Sequence, residues 1–491
     1  MRVLVTGGSG VIGAGLIPEL IAGGHQVRLL ARGAGEASRE WPAAVESFTA
    51  DVTDVDQLRG AASECQAVVH ITGIIAEIPP HITFERVNVG GTRNLLDEAS
   101  RAGGPKFIFI SSLAAERGAS AYHKSKLDAE ALVRAYSGHW VIFRPGNVYG
   151  PGDEVISKLL NMQRTLPAIP MIGSGTHPFQ PIWYVDLGKA ILRAIEAQEV
   201  HGIYELSGEE ITSADDLLDR LERVTGRTPL RLPVPEFLAD LTVRAAQAIG
   251  VPFPINESQF QMIVEQNVVD PPENNALSRV FHITATPLAS GLKLLADGQP
   301  EQEPAEGVGA LERKRFVAEI TGSRFTAEEL LEHFRQHCAE LMPIEFDAEP
   351  GAAHEVVKGA SLTAFVPLRG NIQIRVEEVT PRVLTFATLR GHPLAGVVRF
   401  STSAVRTGVV QFDATVFARA ATVFDWVALK SGGSVAQNWT WRTVVERMIE
   451  VSGGSSDGVR EERGVVSGVE EGRIEEWIGD LIAGRKRDER S

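Results

Sequence analysis

The chain is short of cysteine: Cys65 and Cys338 are the two in 491 residues, and neither stands in a CxxC or Cys/His arrangement. Neither a disulfide framework nor a thiolate zinc site is suggested, and both read as buried thiols. Cations are also scarce, with 48 Lys and Arg against 63 Asp and Glu and a formal charge of −15. A surface of that sign does not grip nucleic acid or anionic membrane through bulk charge, so neither is expected as a partner. Long apolar runs are missing. The best candidate for a membrane span, Thr165 to Val185, holds Pro167, Pro170, Pro178, Pro181 and His177 and reads as loop and strand. The first residues lack the basic region, apolar stretch and cleavage site of a secretory leader, so a cytoplasmic location is expected. No internal repeat is visible.

What is present is chain enough for more than one core, because single cores stop growing near roughly 250 to 300 residues. From Met1 to about Ile195, apolar runs alternate with helical spacing. Val3 to Val5, Val27 to Leu30, Ala67 to Ile71 and Phe107 to Ile110 read as strands buried on both faces, and Val89 to Ala102 as a helix between them. That alternation predicts an α/β fold, a doubly wound parallel sheet with right-handed crossovers. Pro18 is a local anomaly in the first helix. A second lobe follows from about 196 to 295, with an N-capped helix at Ser213 and Pro-rich turns at 229 to 235 and 252 to 254.

Beyond a Pro-, Gly- and Glu-rich stretch the pattern changes class. Phe325 to Leu341 is helical. Leu362 to Val366, Asn371 to Val379, Val383 to Leu389, Val397 to Thr402 and Val409 to Ala418 are β-type runs, and Asn438 to Val451 closes as a helix with an apolar stripe. This predicts an α+β domain, a curved antiparallel sheet wrapped on a long helix.

The sharpest local feature is Thr6-Gly-Gly-Ser-Gly-Val-Ile-Gly, directly after the first strand and opening the first helix. Gly7 allows a tight turn, Gly10 lets the backbone approach a pyrophosphate, and Gly13 permits close helix packing. The free N–H groups at the helix start, Val11 and Ile12 among them, point at the anion. A dinucleotide is therefore the expected cofactor. The second strand ends Leu29-Leu-Ala-Arg, with Ala31 and Arg32 where an NAD-binding chain carries an acid for the ribose 2′-hydroxyl. A 2′-phosphate would meet a planar cation there, which favours NADP(H) and leaves NAD(H) open. Asp51 suits the adenine amino group or a plain loop cap.

Tyr122 and Lys126 lie four residues apart, on one helical face. The ammonium favours phenolate and lowers the phenol toward neutrality, so the pair can exchange a proton with a substrate alcohol or carbonyl. Ser111 and Ser112 end the Phe107 to Ile110 strand, where α/β sheets place their ligands, and a hydroxyl there polarises the same oxygen.

Taken together and in this order, these motifs resemble the extended, atypical branch of the short-chain dehydrogenase/reductase superfamily, with its NAD(P)-dependent epimerases and dehydratases. Gly7, Gly10 and Gly13 match its TGxxGxxG, Asp51 and Val52 its adenine-side acid, and Ile71, Thr72 and Gly73 the loop after strand four. Asn88 with Gly91, Thr92 and Asn94 matches its Asn and GTxN segment. Ser112, Tyr122 and Lys126 match the catalytic Ser and Tyr-x-x-x-Lys. Arg144, Pro145, Asn147 and Val148, running on to Asp153, match the RPxxvYGPxD segment beside nicotinamide and substrate. Phe179 to Asp186 and Leu159 to Pro170 look most like the branch holding the nucleotide-binding accessory subunit of respiratory complex I. Leu113-Ala-Ala replaces the usual VYG, and His70-Ile-Thr the His-x-Ala-Ala of epimerases, so sugar-nucleotide specificity is not implied.

The C-terminal half resembles the helix-grip, START-like class of lipid-binding domains, and Arg390-Gly-His-Pro-Leu-Ala-Gly is similar to a small family of that class. The resemblance implies an apolar cavity for a hydrophobic molecule; the alternative is that Trp426, Trp439 and Trp441 fill a core and His392 serves a turn. The expected organisation is a Rossmann-type NAD(P)-binding domain over 1–295 with a substrate lobe from about 196, a linker over 296–310, the helix-grip-like domain over 311–453, and a charged, solvated tail over 454–491 with a short amphipathic helix from Glu470 to Ile482. The expected function is NADP(H)-dependent oxidoreduction or epimerisation at a carbonyl or alcohol of a small molecule, with a fused domain for a hydrophobic ligand. Two alternatives stand beside it: a non-catalytic NADP(H)-binding scaffold, and an NAD-dependent nucleotide-sugar epimerase or dehydratase. A homodimer is the prior from the resemblance, and no metal is expected.

Overall fold

A computed structural model describes residues 1–118, 120–235, 267–346, 348–367, 369–430 and 434–490. The turn expected at 252 to 254 lies outside them.

The first half is built on a parallel sheet of seven strands: β1 (Arg2–Thr6), β2 (Gln26–Ala31), β3 (Val45–Thr49), β4 (Ala67–His70), β5 (Lys106–Ile110), β6 (Trp140–Pro145) and, after three short strands, β10 (Gly202–Leu206). Their order is β10-β6-β5-β4-β1-β2-β3, so the winding reverses between β1 and β4. Val3, Leu4, Val5, Val68, Val69, Phe107 and Ile108 are wholly buried, which is why these strands are continuously apolar. The helices on the two faces include α1 (Val11–Ala22), α2 (Gly91–Arg101), α3 (Ala121–Arg134), α4 (Ile156–Thr165) and α5 (Tyr184–Glu196). At the crossing of α1 and α5 the backbones nearly touch, since a Cβ on Gly188 would stand 2.3 Å from the Gly15 carbonyl oxygen. The three short strands are β7 (Val148–Tyr149), which pairs in parallel with β9 (Ile182–Trp183), and β8 (Ala168–Ile172), which pairs with β11 (Leu230–Val234). Thr165 to Val185 is thus helix end and strand, and no helix among the described residues is long and apolar enough to cross a membrane. Helices α6 (Ala214–Thr225) and α7 (Leu288–Asp297) pack on α4 and Trp183.

An antiparallel sheet of eight strands forms the second half. Its members are β12 (Val308–Thr321), β13 (Glu345–Phe346), β14 (Ser361–Val366), β15 (Gly370–Val379), β16 (Val383–Thr388), β17 (Leu394–Arg406), β18 (Val409–Ala420) and β19 (Arg460–Val466). Helices α8 (Ala327–Gln336) and α9 (Ser434–Ser452) cover one face: Phe334, Phe386, Phe400, Phe412, Val444, Val445 and Met448 make one buried cluster. Those rings fill the space between sheet and helix where a cavity was expected. A cleft of about 660 Å3 opens instead near one end of the sheet, between Leu394, Val416, Ala418, Trp426 and Lys314. Trp426 and Trp439 are exposed and only Trp441 packs toward the core, so the three are not a common core filling. His392 is a turn residue: its Nδ1 faces the Leu394 N–H at 3.0 Å, and burial pulls it down to about 4. Cys65 and Cys338 are buried and free.

Three segments differ from expectation. β12 occupies 308–321, where charge from Glu312 to Arg315 hides the β alternation. The stretch at 296–310 is pinned rather than loose, because Glu301 is 2% exposed by side chain and meets Arg375 at 2.8 Å and Arg485 at 2.6 Å. The tail is folded onto the sheet: β19 pairs with β12, and α10 (Val469–Glu489) buries Ile478 and Ile482 against Ala387 and Val397 on the other face of the sheet. Arg485, on α10, lies between Glu301 and Glu377 on β15. Glu377 is pushed up toward neutrality by burial and by Glu301 beside it, whereas the surrounding cations Lys486, Arg375 and Arg485 overcome burial and hold Glu301 down. Removing one partner from such a buried set leaves charge unpaired. Arg485→Met is therefore expected to cost about 3 kcal/mol in urea unfolding. Adding Glu377→Gln should recover part of that loss.

Candidate functional site

The turn between β1 and α1 has the shape its glycines require. Gly7 adopts φ +69°, and a Cβ there would stand 2.8 Å from the Thr72 backbone nitrogen; one on Gly13 would stand 2.1 Å from the Gly8 carbonyl oxygen. Gly10 caps α1 with no side-chain partner for the first N–H groups, and the first turn holds no acid. A Cβ on Gly10 would meet nothing nearer than the Gly7 oxygen at 3.5 Å, so the space outside the turn is open. The Val11, Ile12 and Gly13 amides thus face an open cradle at the positive end of a 12-residue helix, which fits a pyrophosphate. Thr6 does not face it. Its hydroxyl is bonded to His70 Nδ1 at 2.7 Å and ties β1 to β4, while burial pulls His70 down to about 3 and keeps it neutral.

Around the rim, Arg32 is exposed and has no ion-pair or hydrogen-bond partner among the described residues. Asp51 uses one carboxylate oxygen to cap its own loop, accepting from the Thr53 N–H and hydroxyl at 2.8 Å each. Its second oxygen is uncommitted. Val52 is packed on Gly91, and its carbonyl accepts from Asn94 Nδ2 at 3.0 Å. Ile71, Thr72 and Gly73 follow β4 across the Gly7 turn, and a Cβ on Gly73 would lie 3.0 Å from Lys126 Nζ and 3.3 Å from Asn88 Oδ1. Asn88 sits in a wider, π-type turn, Glu85–Gly90, just before α2. It is 2% exposed and holds the loop, accepting from Ile74 N–H at 2.8 Å and donating to Ser125 Oγ at 2.9 Å.

Helix α3 carries the expected catalytic pair. Ser120 caps it, accepting from the His123 N–H, which brings Tyr122 into the first turn beside the end of β5. There the Ser112 hydroxyl is near enough to the Tyr122 phenol to act on it, so the two hydroxyls expected to share one substrate oxygen are neighbours. The electrostatics differ from expectation. Burial pushes Tyr122 up to about 12, with the Ser112 hydroxyl opposing, while the Lys126 ammonium is engaged elsewhere. The reason is geometric: Lys126 Nζ donates to the Ile110 carbonyl at 2.9 Å and lies over the Phe109 ring at 5.2 Å. Burial pulls Lys126 down to about 8, against the field of Glu130.

Glu130, one further turn along α3 and fully buried, was not foreseen. It accepts from Ser111 Oγ at 2.6 Å and is bridged by two Arg144 nitrogens at 2.9 and 2.8 Å. Ser111 and Arg144 therefore point at each other's shared carboxylate rather than at a cofactor, and Arg144 also meets Glu116 at 2.6 Å. The sequence signal for Glu130 was its spacing, four residues after Lys126 and eight after Tyr122 on one helical face. Of the remaining segment, the Pro145 carbonyl accepts from Leu113 N–H at 2.9 Å, just past Ser112. Asn147 Oδ1 accepts from Asn267 at 2.5 Å, and Val148 pairs with Ile182.

No cluster of metal-ligating side chains occurs among the described residues. The open cradle, the uncommitted Arg32 and the Gly73-roofed lysine together fit a dinucleotide.

Comparison with known proteins agrees with this geometry. Residues 3–207 match the NAD dependent epimerase/dehydratase family, and residues 295–447 match a domain of unknown function, DUF1990. A ceramide reductase from Caulobacter vibrioides is 31% identical over 241 residues, covering 48% of this chain and 75% of that protein. The mitochondrial NADH dehydrogenase [ubiquinone] 1 alpha subcomplex subunit 9 of Arabidopsis thaliana is 26% identical over 267 residues, 52% of this chain and 66% of its own. A 3 beta-hydroxysteroid dehydrogenase/Delta 5→4-isomerase of Mycobacterium tuberculosis is 32% identical over 189 residues, 32% of this chain and 50% of its own. The chain belongs to the NAD-dependent epimerase/dehydratase family, in the extended short-chain dehydrogenase/reductase superfamily, and is an NAD(P)-dependent oxidoreductase of that type.

Proposed function

We propose that the protein is an NADP(H)-dependent carbonyl reductase of a small apolar molecule, with Tyr122 as proton donor, Ser112 as the second hydroxyl on the substrate oxygen and Lys126 beneath the nicotinamide ribose. The observation that carries this is the nearness of the Ser112 and Tyr122 hydroxyls beside a lysine roofed by Gly73. When bound, the cofactor supplies a hydride to the carbonyl carbon. Tyr122 gives its proton to the oxygen as negative charge develops there, so the carbonyl becomes an alcohol and the phenol a phenolate. A phenol held near 12 is protonated throughout the neutral range and ready to act as an acid, which favours the reducing direction. Ser112 shares the developing charge through its own O–H.

Arg32 supports NADP(H) over NAD(H), since an unpaired guanidinium at the end of β2 can form a charge-assisted pair with a 2′-phosphate. The apolar substrate class is supported by two relatives named for a ceramide and a steroid reaction. The cleft near Trp426 is the place in the second half where an apolar ligand would enter.

Tyr122→Phe should lower the reduction rate at least about a hundredfold, within the range for loss of a positioned acid, while cofactor binding is retained. Retained turnover in that variant would remove Tyr122 as the acid, whereas no turnover of any carbonyl by the native chain would favour a cofactor-holding scaffold. Arg32→Ala should weaken NADPH by about tenfold, equivalent to roughly 1.4 kcal/mol, and leave NADH unchanged in fluorescence titrations. Finally, kcat/KM for the reduced cofactor should be flat below about pH 8 and fall above it as Lys126 loses its proton, because Tyr122 stays protonated across that window. Lys126→Met should abolish the fall.

A further inference from the structure

The basic end of α10 reaches the cofactor half of the molecule. Arg490, which caps α10, lies over the Trp41 ring at 3.8 Å, and its Nη1 donates to the Glu40 carbonyl at 3.0 Å and the Glu40 carboxylate at 3.1 Å. One turn earlier, Lys486 meets Glu40 at 2.9 Å and Glu301 at 3.2 Å. Arg39 pairs with Asp480 at 3.1 Å. Arg490 also acts electrostatically on Tyr184, whose ring and the Val11 side chain both flank Gly150, at 2.5 and 3.0 Å from a Cβ built there. The end of α10 is therefore seated on the segment that follows β2.

That segment is the one that begins with Arg32. Two short helical turns, Ala34–Ala37 and Ser38–Glu40, carry Glu36 and Glu40 away from it. Arg32 and Glu40 are eight residues apart in the chain, joined through these two short turns. Glu303 and Glu306 add negative charge, and Glu303 is pushed up by burial, with Glu306, Glu36 and Glu40 adding to it and Lys486 opposing. Left alone, this acidic group would repel a 2′-phosphate held by Arg32.

We propose that Lys486 and Arg490 complete the 2′-phosphate corner of the cofactor site: by neutralising Glu40 and anchoring it to Trp41, they make discrimination for NADP(H) depend on a helix some 450 residues beyond Arg32. The same two contacts couple the antiparallel half of the molecule to the cofactor, since the rest of α10 is seated on its sheet through Ile478 and Ile482. This rests on the NADP(H) reading above and adds the specificity residues that the first half lacks.

The test uses the full chain, titrated with NADPH and with NADH by protein fluorescence. Lys486→Gln with Arg490→Gln should weaken NADPH about tenfold and NADH less than about twofold, with the difference shrinking at high salt. Restoring neutrality with Glu40→Gln in that background should recover most of the NADPH affinity, which a purely structural ion pair would not do. Arg490→Gln alone, at a partly exposed site, should give a smaller selective loss and keeps the test open should the double variant fold poorly. Unchanged NADPH affinity, equal losses for both cofactors, or no recovery with Glu40→Gln would overturn the proposal. If Arg32→Ala is selective while these variants are not, only this inference fails; if the native chain prefers NADH, the NADP(H) reading fails with it.

Discussion

The site depends on one buried carboxylate. Glu130 is fully buried on α3, and its two oxygens join the end of β5 through Ser111 to the end of β6 through Arg144. Such a set is stable only when every member is paired, so the three elements cannot slide independently. Tyr122 and Lys126 ride on the same helix as Glu130, and Ser112 is the residue after Ser111. The lock between Glu130, Ser111 and Arg144 therefore sets the distance between the phenol and the serine hydroxyl. Chemistry and support are adjacent in sequence, and only the support is charged on both sides.

A second set of buried charges holds the two halves together. Arg164 on α4 meets Glu349 at 2.7 Å and Gln373 on β15 at 2.7 Å, and Arg485 gathers Glu301 and Glu377. Burial of this kind adds little net stability compared with apolar packing, but it penalises any arrangement that strands one partner. The stretch at 296–310 is consequently a wedge between two sheets rather than a tether, and α10 is the strap that returns from the second sheet to the first.

The parallel sheet and the glycine turn were legible because their physics is local: both-face burial writes continuous apolar strands, and a tight turn against Thr72 demands glycine at Gly7. That Tyr122 and Lys126 share one helical face was legible through spacing, whereas the roles expected of Ser112, Tyr122 and Lys126 came from the joint resemblance of the motifs. Arg144 and Ser111 were read as cofactor contacts because the sequence shows their place at strand ends but not the carboxylate between them. The effect of Lys126 on Tyr122 was misjudged for a similar reason. Proximity on a helix face was visible, whereas the Ile110 carbonyl that engages the ammonium was not. In the second half, β12 and β19 were hidden by their charges, since edge and near-edge strands carry Arg and Glu on a wet face. The aromatic filling between sheet and α9 depends on contacts between Phe334, Phe386, Phe400 and Phe412, which lie far apart in sequence.

The central claim is that Tyr122 and Ser112 present their hydroxyls to one oxygen beside the nicotinamide. A crystal structure of the full chain with oxidised cofactor measures this directly. The account predicts a pyrophosphate on the Val11 and Ile12 amides, the nicotinamide ribose within hydrogen-bond reach of Lys126 Nζ, and both hydroxyls converging on one site beside the reactive ring carbon. A bound cofactor whose nicotinamide lies out of reach of the Tyr122 hydroxyl would contradict it.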